Sequence, residues 1–212
     1  MMDNVSPDLE HENRLWQTGY AAIAGLDEVG RGALAGPVVA GAVILPKGVG
    51  VTGIWAEVRD SKLLSAARRE EMAGRIRQSA AGWAVGEASA GEIDAIGIAP
   101  ATRLAMQRAI DALPTRPDYL LLDWVRLATV NLPQESFTKG DARIVSIAAA
   151  SILAKVYRDR LLVEMNGRYP LYGFASHKGY GAANHLAAIE RHGPCAAHRR
   201  SFSPMRQERT LL

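Results

Sequence analysis

Four acidic residues stand where carboxylates are hard to keep. Asp27 and Glu28 end the apolar run AAIAGLDEV, Asp123 follows Tyr119-Leu-Leu-Leu122, and Asp141 directly precedes the longest helical pattern in the chain. A carboxylate drawn out of water needs a partner, and several gathered at strand ends repel one another. A divalent cation answers both needs. No clustered cysteines or paired histidines accompany these residues, so the donor set is all oxygen and points to Mg²⁺ or Mn²⁺ rather than zinc. Two such ions about 4 Å apart stabilise the attacking and leaving oxygens of an in-line phosphoryl displacement. Plainer readings stay open: a strand-to-turn exit for Asp27-Glu28 and a helix N-cap for Asp141.

The net charge of +3 hides an uneven distribution, with −4 over residues 1–138 and +7 over residues 139–212. Arginine outnumbers lysine 20 to 5, and guanidinium forks suit bidentate phosphate contacts. A basic last third, with Lys178, Arg199 and Arg200 facing a phosphate backbone, fits a polyanionic partner; a solvated basic surface is the alternative. Joined to the carboxylates, this reads as a metal-dependent nuclease. At 212 residues, 48% hydrophobic and 22% charged, the chain can bury one sizeable core, which excludes wholesale disorder and a membrane-embedded protein. No apolar run approaches the ~18 residues of a spanning helix. The acidic N-terminus lacks the apolar core of a signal peptide. The single cysteine, Cys195, excludes an internal disulfide and fits a reducing compartment. The expected setting is the cytoplasm, with no membrane partner.

The positioning elements follow from pattern. Residues 1–20 are polar and without periodicity, which predicts a flexible extension ahead of a single domain over 21–212. AAIAGLDEV and PVVAGAVIL, joined by GRGALAG, predict an antiparallel hairpin. Ser65 is placed to cap a helix over 66–79, WAVGEAS (83–89) reads as a third strand, and 96–113 is helical. DYLLLDW (118–124) fits a central strand covered on both faces. The helix after Asp141 carries a stripe of small residues, Ala148, Ala149, Ala150, Ser151 and Ala154, suited to close packing. A last helix begins near Ala182. Interspersed strands and helices give an α/β class with a mixed sheet.

Beyond these patterns, several blocks resemble ribonuclease HII, the type-2 ribonuclease H family. Asp27-Glu28-Val29-Gly30-Arg31-Gly32 matches its DEVGRG signature. In the family's order follow Asp60-Ser61-Lys62, the strand ending in Asp123, and Lys139-Gly140-Asp141. Then come Ala148–Lys155 with Arg158-Asp159, His177-Lys-Gly-Tyr-Gly181 and His198-Arg-Arg-Ser-Phe202, so the likeness runs from about Ala21 to Phe202. It departs at Trp124, where the family often has glycine, and at Ala182, where it often has threonine.

The resemblance implies a ribonuclease H-like mixed five-stranded sheet flanked by helices, with a helical C-terminal segment closing over the substrate groove. It implies cleavage of the RNA strand of RNA–DNA hybrids, and cutting 5′ to single ribonucleotides in duplex DNA, leaving 3′-hydroxyl and 5′-phosphate ends. Asp27, Glu28, Asp123 and Asp141 would be the catalytic ligands of Mn²⁺ or Mg²⁺, with Asp27 central, Asp123 and Asp141 to either side, and Glu28 on one ion or a water. The turn Gly30-Arg31-Gly32 would approach the 2′-hydroxyl, the group that separates RNA from DNA. Tyr180 would stack on the next sugar, and Ser61 and Lys62 would meet a phosphate. Arg158 and Asp159 read as a structural ion pair, Cys195 as inert, and the histidines at 177, 185, 192 and 198 as unrelated to zinc. A monomer suffices. The competing expectations are another metal nuclease of the same fold, a silent hybrid-binding protein, or a small-molecule phosphatase.

Overall fold

A computed structural model describes residues 6–205. Ile23–Val29 (β1) and Val38–Ile44 (β2) form the expected antiparallel hairpin. Gly82–Ala88 (β3) pairs antiparallel with β2, and Tyr119–Asp123 (β4) lies parallel to β1. A short polar strand, Gln134–Phe137 (β5), adds in parallel at the edge, so the order is β3-β2-β1-β4-β5. This is the mixed five-stranded sheet the sequence leads one to expect. The edge strand QESF escaped the pattern because it is short and has no apolar face.

The helices are Glu10–Gln17 (α1), Ile54–Glu57 (α2), Ala66–Ser79 (α3), Ala90–Ile96 (α4), Ile98–Asp111 (α5), Val145–Arg168 (α6), Phe174–His177 (α7) and Ala183–His192 (α8). The Ser65 side chain accepts from Arg68 N–H at the start of α3, as its position implies. The helix expected over 96–113 is α5, and a separate short helix that the pattern did not mark, α4, precedes it and ends at Gly97, whose φ is 82°. One face of the sheet packs on α5, and the other on α6. The two are separate cores, one with Leu26, Leu120, Leu122 and Met106, the other with Ile23, Leu121, Ile147 and Leu153.

Helix α6 lies against the hairpin at backbone distance. A Cβ at Gly25 would fall 2.3 Å from the Ser146 carbonyl carbon, and one at Gly41 would fall 2.4 Å from the Ala150 oxygen. Glycine on the strands and the buried small residues 148–151 on the helix together permit that approach. Ser151, one turn beyond Ile147, is thereby carried to the end of β1 where Asp27 emerges.

Two expectations are corrected here. Residues 1–20 are not a flexible extension throughout: α1 buries Leu15 and Trp16, and its Glu12 is fully buried (residues 1–5 lie outside the described residues). The polar composition hid a helix with one buried face. Asp141 does not cap the long helix, because it sits in the 3₁₀ turn Gly140–Ala142 and α6 starts at Val145. The carboxylate that meets the start of α6 is Glu12, which accepts from Ser146 N–H at 3.0 Å.

Candidate active site

β1 and β4 run parallel, so their C-terminal ends meet at one edge of the sheet and bring Asp27, Glu28 and Asp123 to one cleft of about 450 Å³. The turn residues Gly30 and Arg31 line it, as do Ser61, Lys62 and Tyr180. So do Ser151 and Lys155, one turn apart on α6. Sequence reasoning gave these two no role; their i,i+4 spacing on the small-residue face was the available signal. Asp141 stands just behind this lining, its Oδ2 accepting from Lys62 Nζ at 2.7 Å. Gly32 is exposed and outside the lining, and a Cβ there would meet nothing within 4 Å. Within the fold, close approach therefore demands glycine at position 30 and not at 32.

Asp27 is 5% exposed, and its Oδ1 accepts the Glu28 N–H at 2.7 Å. Burial pushes its carboxyl well above the usual range; Glu28, and less strongly Asp123 and Asp141, push further, while the Ser151 hydroxyl partly offsets them. Burial also raises Glu28, against the Trp124 indole and Arg31. Asp123 is raised by burial too, although its Oδ1 accepts Gly140 N–H at 2.7 Å. Lys62 moves the other way: burial alone would lower it, but Asp141 and Asp60 hold it up to about 12. Its Nζ lies 3.7 Å from Asp60, so one ammonium serves two carboxylates.

These features fit a hard divalent cation. The acidic groups are crowded and partly desolvated, they offer only oxygen, and Glu28 Oε2 is buried without a partner. Among the described residues, no three Asp, Glu, His or Cys side chains already converge closely enough to hold an ion. Lys62 supplies the positive charge nearest to Asp141.

Ser61 is buried and bonds Ser151 across 2.9 Å, so it braces the Asp60–Leu63 turn against α6. Tyr180 is half-buried, its ring centroid 5.3 Å from the Arg158 guanidinium and 5.9 Å from Lys155 Nζ. Arg158 and Asp159 do not pair with each other. Arg158 donates to the carbonyls of Ala35, Pro37 and Lys178, and Asp159 accepts from Lys155. Arg199 is also fully buried, donating to the carbonyls of Gly36 and Arg31. It therefore cannot face a phosphate backbone as expected.

Behind Tyr180 the histidines form a directed chain. The Tyr180 carbonyl can only accept, so His185 Nδ1–H donates to it at 2.8 Å. His185 Nε2 must then accept, from His198 Nε2–H at 3.1 Å. His198 Nδ1 in turn accepts the Cys195 N–H at 3.0 Å. Cys195 Sγ lies 3.2 Å from the same nitrogen. Both rings are neutral in this arrangement, and burial holds both below the usual histidine range, His198 at about 4.

Comparison with known proteins agrees with this architecture. The family model described as Ribonuclease HII matches residues 24–205. The ribonuclease HII of Desulfitobacterium hafniense is 50% identical over 210 residues, covering 99% of this chain and 79% of the relative. The ribonuclease H2 structure from Pyrococcus horikoshii superposes with a TM-score of 0.74 at 24% identity, over 87% of this chain and 95% of that one. Bst-RNase HIII in complex with Mn²⁺ shares the fold, with a TM-score of 0.68 at 19% identity, over 90% of this chain and 70% of that one. On the match to 24–205 and half-identity over nearly its whole length, the chain belongs to the ribonuclease HII family.

Proposed function

We propose that this chain hydrolyses the RNA strand of RNA–DNA hybrids and cuts on the 5′ side of single ribonucleotides in duplex DNA. The observation that carries this reading is the meeting of Asp27, Glu28 and Asp123 in one cleft with the Gly30-Arg31 turn and Tyr180. Asp27, Glu28, Asp123 and Asp141 would hold two divalent ions, Mn²⁺ or Mg²⁺, once the side chains close in and Lys62 yields Asp141. Bound there, the ions would supply an activated water and neutralise charge on the leaving 3′ oxygen. Lys62, released from Asp141, is placed to meet a phosphate, with Ser61 bracing its turn. Gly30, with φ 89° and no room for a Cβ against the Arg158 guanidinium, sets the path of a turn whose backbone polar groups would meet the sugar. Tyr180 offers a ring for the following nucleotide.

The test is an end-labelled DNA duplex with one ribonucleotide, incubated with Mn²⁺, Mg²⁺ or EDTA. A single cut 5′ to the ribonucleotide, with 3′-hydroxyl and 5′-phosphate ends and none in EDTA, is the expected result. Asp27→Asn should lose at least about 100-fold in kcat, because the lost charge matters most in the transition state. Cutting of the all-DNA duplex, or binding without cutting in either metal, would overturn the proposal. We also propose that the chain acts as a monomer, to be checked by light scattering. No helix among the described residues is long and apolar enough to cross a membrane, and we assign the activity to the cytoplasm, where fractionation should find it.

A further inference from the structure

Directly after Asp123 the backbone enters the left-handed region at a tryptophan, with φ 44° at Trp124. A three-residue turn closes across it, Val125 N–H reaching the Asp123 carbonyl at 2.5 Å. A bulky residue holds such a conformation only where its surroundings over-determine it. The core does not hold this one, since Trp124 is 44% exposed. Its partners are polar groups beside the cleft. The indole Nε1–H donates to Glu28 Oε1 at 2.9 Å, and the Arg31 guanidinium lies 3.9 Å from the ring centroid. Arg31 Nη1 also approaches Glu28 Oε1, at 3.7 Å. Both donors therefore act on one oxygen of Glu28, while Oε2 stays buried and unpartnered.

We propose that Trp124 is a positioning residue whose indole N–H fixes Glu28 Oε1 and so presents Oε2 to the divalent cation. The inference rests on the reading of Glu28 as a ligand given under the proposed function. A carboxylate tied at one oxygen keeps one orientation and loses less freedom when the other oxygen takes an ion. The positive φ at Trp124 then has a physical reason. It swings the indole from the end of β4 back across to the end of β1, joining the two strands that deliver Asp123 and Glu28.

The experiment measures Mn²⁺ binding to the metal-free full chain, without substrate, from the electron paramagnetic resonance signal of the free ion. Trp124→Phe keeps an aromatic face for Arg31 and removes only the donor. It should weaken Mn²⁺ binding about tenfold, the low end of what outer partners of metal ligands contribute. Trp124→Gly should weaken it at least as much without lowering the melting temperature, because glycine accepts φ 44° freely. In a Glu28→Gln background, Trp124→Phe should have no further effect. If Glu28→Gln weakens binding and Trp124→Phe does not, this inference alone is overturned. If Glu28→Gln binds Mn²⁺ like the wild type, the ligand assignment falls and takes the inference with it.

Discussion

At Gly30 a single hydrogen separates a working turn from a broken one. A Cβ there would fall 2.1 Å from Arg158 Nε, and φ is already 89°. Gly30→Ala should therefore cost about 2 kcal/mol or more, read from denaturant midpoints, by straining the backbone and displacing a buried guanidinium. Gly32→Ala, which meets nothing in the fold, should leave stability nearly unchanged and serves as the control. Tyr180 lines the cleft, and its proposed role is toward the substrate. Tyr180→Ala should lower the preference for a ribonucleotide site over a deoxy site roughly tenfold by loss of stacking. Mn²⁺ binding should stay at the wild-type level. An unchanged preference would remove Tyr180 from the substrate-reading set.

Among the elements, α1 and the histidine chain behave as braces. Glu12 from α1 receives the Ser146 N–H, one of the orphan donors at the start of α6. Glu12→Ala should destabilise the chain by about 1–2 kcal/mol, and Glu12→Gln by less, since the amide oxygen still accepts. The His185–His198 chain gives a pH dependence of fixed sign. Both folded-state values lie below the ordinary one, so between about 4, where His198 stands, and the ordinary value near 6.5 the unfolded chain binds more protons. Stability from this chain is complete above that window and falls as pH drops through it, by on the order of 2 kcal/mol. His177, Tyr172 and Cys195 face these rings, and Asp27, raised rather than lowered, works in the opposite direction. The measurement is thus the difference between wild type and His198→Gln in urea midpoints at pH 7 and pH 5, with the variant losing less. The hairpin, β4 and the capped helix α3 were legible because apolar period and capping chemistry act locally. The packed helix α1, the polar edge strand β5 and the true partner of the α6 N-terminus were not, since each depends on a contact across the fold. The same holds in the site: Asp27, Glu28 and Asp123 could be read from chain position, whereas Ser151, Lys155 and the Trp124–Glu28 bond needed the helix and strands placed.

At the scale of the whole molecule, the basic last third is less available than its net charge suggests. Arg158 and Arg199 are buried, and Arg160 is paired with Glu70. Arg31, Lys62 and Lys155 line the cleft, and Lys178 lines the adjoining one. Four phosphate contacts imply a salt slope near −3.6, so affinity for duplex should fall on the order of 100-fold between 50 and 200 mM salt. A flat dependence would mean that these cations do not meet the backbone. The two buried arginines carry another consequence. Together they hold the carbonyls of Arg31, Ala35, Gly36, Pro37 and Lys178. Ala35 also bridges to His198. The Gly30-Arg31 turn is thus made early on the ribosome, but its fasteners are made late. Until residue 199 has left the exit tunnel, the carbonyls of Arg31 and Gly36 lack their guanidinium partner. Substrate reading should be the last property the protein acquires during synthesis and the first it loses when its C-terminal segment is clipped.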